Sequence, residues 1–397
     1  MNTSSSWIKN GAIVAASVAI ALVLGEVALR VAGFAYPNFW EPDPVAGSKL
    51  RPRMEGWQED EGKAYVKISS QGLRDREHQV AKPKDTYRIA ILGDSYAEAM
   101  QVAQERAFWS LLPQKLQACH FAGGKTIETI NFGVSGYGTG HELLTLRERV
   151  WQYSPDMVLL AFFPGNDVRN NSKALEGEMR PYFSLKDGKL MLDAAFRDDP
   201  EFKEKQRISE HRAWLQEARL YQLMRRVKAG NIAQHFHNAP IAAAAASGSN
   251  GGQKLTEPGL DEQVFQEPKD SKWQEAWSIT DRLVEATNEE TKSHGARFVL
   301  AILSTPGTVF PDAQMRARYA ASLGVQSLFY PEQRLEALGR QDGFEVVALA
   351  PAMQRVADEK HEFLHGFPNT KPGFGHWNEA GHALAADLIA RDLCAKP

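Results

Sequence analysis

The chain has 397 residues, enough to bury a large core in one domain with insertions. Its formal net charge of −3 leaves no basic footprint for a nucleic-acid partner. Two cysteines, Cys119 and Cys394, are too few for a disulfide scaffold, and one bridge and two free thiols both stay open.

Gly11 to Gly25 is an uncharged, mostly apolar run preceded by Lys9. It is short for a membrane span, which needs about 20 residues, but Glu26 and Arg30 sit four apart and can pair as the helix continues. Residues 1–35 are therefore expected to form an uncleaved signal anchor, a transmembrane helix, rather than a signal cut at Gly33-Phe34-Ala35. Arg30, Lys49, Arg51 and Arg53 follow the span, so charge does not set its orientation. Residues 36–80 read as a linker and N-terminal extension.

Tyr87–Leu92 is apolar and β-branched, a buried strand that runs into Gly93-Asp94-Ser95-Tyr96. A serine between a strand's carboxyl end and a helix is well placed to be a nucleophile, at the edge where α/β sheets bind ligands. Ala107–Cys119 follows as a helix that Pro113 could divide. A second strand, Ile127–Ile130, leads into Asn131-Phe132-Gly133-Val134-Ser135-Gly136-Tyr137-Gly138, then a helix over Gly140–Trp151. A third strand, Met157–Phe163, leads into Pro164-Gly165-Asn166-Asp167. Residues 171–270 break the rhythm. They hold a hairpin over Arg180–Asp193 with its turn at Asp187-Gly188, a charged helical stretch over Glu201–Lys228, and a small-residue flexible loop near 240–256. This insertion is placed to act as a lid or substrate wall, or only as surface elaboration. Trp273–Ser293 (helix), Arg297–Leu303 (strand), Tyr330–Arg340 and the strand Phe344–Leu349 resume the alternation, and Asn378–Cys394 closes it as a helix. The pattern predicts an α/β fold, a three-layer α/β/α sandwich around a five-stranded, mostly parallel, flavodoxin-like sheet, with residues 81–170 and 271–397 as its core.

Near the C-terminus lies Gly375-His376-Trp377-Asn378-Glu379-Ala380-Gly381-His382. Ser, Gly, Asn and His in this order, the first three each after a strand, resemble the SGNH (GDSL-type) serine hydrolase superfamily over roughly residues 70–170 and 270–395. The resemblance implies Ser95 as nucleophile and His376 as proton shuttle. It also implies an oxyanion hole built from the backbone N–H groups of Ser95 and Gly133 and the side-chain amide of Asn166. His382 is the competing base, but it falls inside the helix that Asn378 would cap.

Many relatives carry an Asp two or three residues before the histidine, where this chain has Gly373 and Phe374. A main-chain carbonyl or a remote acid, with Asp312, Asp342 and Asp167 as candidates, would have to orient His376. Two other motifs compete. His361-Glu362-Phe363-Leu364-His365 spells the zinc-protease H-E-x-x-H, but Gly366 and Pro368 would end such a helix. Gly133, Gly136, Gly138 and Gly140 lack the Gly-Lys-Ser/Thr of a phosphate loop.

The expectation is a membrane-anchored, extracytoplasmic serine acyl-ester hydrolase that needs no metal or organic cofactor. Its partners would be the membrane, an O-acylated glycan or small-molecule substrate and, at the cell envelope, polysaccharide machinery. The alternatives are an O-acyltransferase acting on an exopolysaccharide and a carbohydrate-binding protein on the same scaffold.

Overall fold

The computed structural model describes residues 3–238, 255 and 260–395. Thr3–Val31 is one continuous helix, and Trp7–Val31 is long and apolar enough to cross a membrane. Near its end Arg30 Nε pairs with Glu26 at 2.8 Å, as the spacing predicted.

Two antiparallel hairpins follow, β1 (Trp40–Asp43) with β2 (Gly47–Leu50) and β3 (Glu55–Gln58) with β4 (Ala64–Lys67). The segment expected as a linker is thus folded, and Phe39, Leu50, Met54, Val66 and Ile68 bury against Met100, Val134 and Tyr137 of the core. Strands this short escape a periodicity search that needs longer alternating runs.

The central sheet contains β5 (Thr86–Gly93), β6 (Thr126–Asn131), β7 (Met157–Phe162), β10 (Arg297–Ile302) and β11 (Glu345–Ala348). Every pairing is parallel, in the spatial order β6-β5-β7-β10-β11. The alternating pleat divides the apolar residues between two faces. Ala90, Leu92, Val158, Leu160 and Leu300 pack against helices that include Thr139–Thr145, Ser271–Ser293 and Tyr330–Asp342. Ile89, Ile91, Leu159, Ala161 and Val299 pack against Phe108–Ala118, Ala350–Lys360 and Glu379–Ala395. This is the three-layer sandwich expected from the alternation. Because the chain steps from β5 to β6 on one side and then to β7 on the other, the crevice opens at the carboxyl ends of β5 and β7.

Pro113 lies inside the Phe108–Ala118 helix without dividing it. Proline cannot donate to the carbonyl four residues back, and that carbonyl, of Trp109, instead accepts from Thr129 Oγ1 at 2.8 Å. The helix expected over Gly140–Trp151 is α-helical only to Thr145 and loosens into a wider turn at Leu146–Val150.

Within the insertion, β8 (Tyr182–Lys186) pairs with β9 (Lys189–Asp193) around Asp187-Gly188, whose φ values of 52° and 74° suit a tight hairpin turn. The charged stretch is two helices, Pro200–His211 and Arg219–Asn238. The loop expected near 240–256 lies, apart from Leu255, outside the described residues.

Cys119 and Cys394 form a disulfide with their Cα atoms 6.1 Å apart, joining the end of one outer helix to the end of the closing helix. The bridge closes a long loop, spanning 275 residues, and such loops lose the most unfolded-chain entropy when cross-linked. Replacing both cysteines with serine is expected to lower stability by about 2–5 kcal/mol. Urea denaturation checks this, and an unchanged midpoint would contradict the bridge.

Candidate active site

Ser95 sits where β5 ends. Asp94 caps the four-residue helix Ser95–Glu98 by accepting from the Tyr96 N–H at 2.9 Å. A Cβ on Gly93 would come within 2.8 Å of Ala97 Cβ, so the sharp strand-to-helix turn depends on that glycine. The carbonyl of Ala97 at the helix end accepts from Trp109 Nε1 at 2.7 Å and from Asn131 Nδ2 at 2.9 Å.

His376 is held by the segment before the closing helix. His365 and Trp377 form an antiparallel bridge, and the Gly366 N–H donates to the His376 carbonyl at 2.9 Å. Beneath them His365 Nδ1 donates to the Gly375 carbonyl at 2.7 Å, while Ser304 Oγ lies 3.0 Å from His365 Nε2 and accepts from Trp377 Nε1 at 2.8 Å. Burial pushes His365 down to about 3, so it stays neutral as a scaffold group. Tyr96 stacks on Phe163 with ring centres 4.1 Å apart and stands 5.0 Å from the His376 ring.

These supports bring together the two residues singled out in the sequence. Ser95 Oγ lies 2.8 Å from His376 Nε2, although 281 positions separate them. On the other edge of the ring, Glu61 Oε2 lies 2.5 Å from His376 Nδ1, and Glu61 Oε1 accepts from the His376 backbone N–H at 2.7 Å. With Nδ1 donating to the carboxylate, Nε2 is left to accept the serine proton. Burial pulls the Glu61 carboxyl upward, but hydrogen bonds and charge from His376 outweigh this and hold it below its usual range.

Glu61 was not among the acids expected from the sequence. Asp312 caps the helix Ala313–Ser322, Asp342 ends the helix Tyr330–Asp342, and Asp167 accepts from the Phe163 N–H at 2.8 Å. The acid comes instead from the turn between β3 and β4. Gly375 is what admits it, because its φ of 82° is left-handed and a Cβ there would stand 2.0 Å from Glu61 Oε1. In the sequence Glu61 lies in an acidic turn, Glu59-Asp60-Glu61-Gly62, that reads as solvated surface.

The expected oxyanion donors fare unequally. The Gly133 N–H donates to Asn131 Oδ1 at 3.0 Å, which corrects its assignment as an open donor. A Cβ on Gly133 would lie 2.5 Å from Ala97 Cβ, so the close pass of this loop under the Ser95–Glu98 helix needs glycine. Asn131, missed as a site residue, also donates from Nδ2 to the carbonyls of Arg74 and Ala97, so one buried amide ties β6 to that helix. Farther along this loop Gly136 is exposed, with φ of 80°, and its carbonyl accepts from Asn170 Nδ2 and Arg180 Nη1. Asn166 begins the helix Asp167–Asn170 without capping it by its side chain.

Behind the serine, Asp94, Glu142 and Asp167 are buried together. Burial, reinforced by mutual repulsion, raises Glu142 and Asp167 well above the usual carboxylate range. Burial also raises Asp94, to about 6, against the opposing effects of the Tyr96 N–H and the charge of His376. Burial thus disfavours the charged form of all three carboxyls, which works against a build-up of negative charge beneath Ser95.

His382 is buried inside the closing helix, where its Nδ1 accepts from the Phe108 N–H at 3.4 Å. Asn378 caps that helix by accepting from the Gly381 N–H at 3.0 Å. The H-E-x-x-H stretch is not helical: the helix Ala350–Lys360 stops at His361, whose φ is 51°. Among the described residues no group of three His, Cys, Asp or Glu side chains could hold a metal ion.

The two ends of the insertion reach the site. Arg180 touches the Gly136 carbonyl, and the Asp261 N–H donates to the Gly165 carbonyl at 3.0 Å. Its helices lie against the N-terminal elements: Arg51 donates to Ser209 Oγ at 2.6 Å, and Glu26 accepts from the Arg219 and Leu220 N–H groups, each at 2.9 Å.

No family model matches the chain. It is 32% identical over 82 residues to an arylesterase of Vibrio mimicus, a match covering 21% of this chain and about two-fifths (39%) of the relative's length. Among solved structures it is similar to a catalytic mutant of an acetylxylan esterase from Geobacillus stearothermophilus, at 12% identity and a TM-score of 0.37, covering 77% of this chain and 94% of that one. It is also similar to a G-D-S-L family lipolytic protein from Desulfitobacterium hafniense, described there as putative, at 10% identity and a TM-score of 0.33, covering 77% and 98%. At such identities no residue role passes from those structures to this chain.

Proposed function

We propose that this chain is a serine ester hydrolase of the SGNH type. The observation that carries the reading is the relay of Ser95 Oγ, His376 and Glu61, with contacts of 2.8 and 2.5 Å on the two edges of one imidazole. Ser95 Oγ attacks an acyl carbonyl carbon as its proton passes to His376 Nε2. The tetrahedral intermediate collapses, the C–O bond to the alcohol breaks, and His376 returns the proton to the departing oxygen. Water then attacks the acyl-serine as His376 takes its proton, the acyl C–Oγ bond breaks, His376 returns the proton to Ser95 Oγ, and the carboxylic acid leaves.

The Ser95 N–H and the Asn166 amide are assigned to the developing oxyanion, where each fixed donor is worth about 3–4 kcal/mol. Ser95 is half-buried rather than open.

The substrate class follows the family resemblance: short O-acyl esters, O-acetyl above all, on glycans of the bacterial envelope. Anchoring by Trp7–Val31 and an extracytoplasmic catalytic domain are part of the same proposal. The Cys119–Cys394 bridge supports it, because such bonds persist in oxidising compartments.

The test uses the full chain in detergent with p-nitrophenyl acetate and a fluorophosphonate probe. A burst of p-nitrophenol and covalent labelling are expected from the wild type, and neither from Ser95→Ala. Labelling that persists in Ser95→Ala would move the nucleophile elsewhere. Adding an oligosaccharide acceptor separates outcomes: free acetate supports hydrolysis, and acetylated sugar would replace it with acyl transfer.

A further inference from the structure

Gly373 and Phe374 stand where many relatives carry the acid, and the nearest preceding polar amide on the same segment lies farther back. Asn369 lies seven positions before His376 and reaches the turn that holds Glu61. Its Nδ2 donates to the Glu59 carbonyl at 3.0 Å and to the Gly62 carbonyl at 2.9 Å, and its Oδ1 accepts from the Gly62 N–H at 3.0 Å. One planar carboxamide thus uses both donor hydrogens and its acceptor on the two ends of a single turn, with Glu61 between them.

Other contacts limit where that turn can go. Gly62 has a φ of 68°, and a Cβ there would stand 2.3 Å from the Gln101 carbonyl oxygen, so the turn rests on the core. On its outer side the Glu59 carboxylate accepts from Tyr36 Oη at 2.8 Å and pairs with Lys63 at 3.0 Å and Arg226 at 3.3 Å. The Arg226 guanidinium lies 3.8 Å over the Tyr36 ring, and the Tyr36 N–H donates to Gln222 Oε1 at 2.8 Å. These outer ion pairs are solvated and individually weak. The three bonds of Asn369 are of ordinary length, converge on backbone and are independent of charge.

We propose that Asn369 is the positioning residue of the site: by gripping both ends of the Glu59–Gly62 turn it fixes Glu61 against His376, without itself touching Ser95 or substrate. The proposal rests on the Ser95–His376–Glu61 relay proposed above. An acid supplied by a remote hairpin needs such a clasp, because an acid next to the histidine in sequence is placed by its own backbone, whereas Glu61 is 315 positions away. A displacement of about 1 Å in such a contact can cost about 100-fold in rate.

The test is a double-mutant cycle on the full chain, measuring acylation by p-nitrophenyl acetate against pH for wild type, Asn369→Ala, Glu61→Gln and the double variant. Asn369→Ala is expected to slow acylation about 10- to 100-fold with KM nearly unchanged, and to shift the acidic limb of the pH profile in the same direction as Glu61→Gln. In the Glu61→Gln background, adding Asn369→Ala is expected to cost no more than about twofold. Asn369→Asp, which keeps the acceptor for the Gly62 N–H but loses both donors, provides the same reading if the alanine variant folds poorly. Equal losses in both backgrounds, or an unmoved acidic limb, would reduce Asn369 to a purely structural residue and overturn the proposal. Wild-type activity in Glu61→Gln alone would remove the relay itself, and the clasp's function with it.

Discussion

Replacing His376 with alanine is expected to slow acylation by p-nitrophenyl acetate about 10⁴-fold or more, while His382→Ala has a far smaller effect. His376 Nε2 is the ring nitrogen 2.8 Å from Ser95 Oγ, and its other nitrogen is committed to a carboxylate. Without it the serine must lose its proton to water, and the leaving alcohol has no acid to protonate it. His382 stacks on Phe108 with the ring planes 5° apart and approaches Trp377 edge-on at 5.6 Å. Burial drives its ionisation down to about 3, so it is neutral and too weak to draw a proton from a hydroxyl. Burst kinetics normalised to folded protein decide between the two. Acylation lost in His382→Ala and kept in His376→Ala would reassign the base.

The sequence exposed the parts of this protein that are set by local pattern. β7 is wholly buried, and its run of apolar residues identified a central strand at once. Ser95 and His376, which the fold brings to 2.8 Å, and Asn166 could be singled out in the sequence because each stands at a fixed place relative to an element boundary: after β5, before a capped helix and after β7. Gly133 was legible as a glycine that needs close approach but not in its purpose, because only the fold reveals that the approach is to Ala97 and that its N–H is spent on Asn131. Glu61 left no local trace. Its role comes from a hairpin of four-residue strands folding back over the closing segment, and an acid on a polar turn has the composition of ordinary surface. The clues were negative: no acid at Gly373 or Phe374, and a glycine at 375 that makes room for one from elsewhere. The Cys119–Cys394 pairing was open for a similar reason, since it depends on two outer helices lying side by side.

Glu61→Gln should lower the acylation rate about 10²- to 10⁴-fold with little change in overall shape. The size follows from hydrogen-bond inventory rather than charge alone. Glu61 accepts twice from the same residue, once from the His376 backbone N–H and once from Nδ1. Glutamine offers one acceptor and one donor in that space. If its oxygen faces the backbone N–H, its NH₂ donates to Nδ1, the ring proton moves to Nε2, and the serine has nothing to give its proton to. If the amide turns over, Nδ1 keeps its partner but two N–H groups oppose each other at the backbone, and the ring loses its alignment. The pH dependence separates this from simple damage. His376 works as a base only when neutral, so activity rises with pH as the ring deprotonates. An ionised carboxylate beside it favours the charged ring and delays that rise. Because His376 holds the Glu61 carboxyl below its usual range, it remains ionised across the neutral region and acts there throughout. Its removal should therefore move the acidic limb of the rate profile to lower pH while the plateau falls. The same interaction stabilises the fold above the unfolded-state ionisation of Glu61 and is lost as pH falls through the lowered folded value, a contribution the glutamine variant lacks. A Glu61→Gln enzyme with a wild-type plateau and an unmoved limb would mean that His376 needs no carboxylate to work.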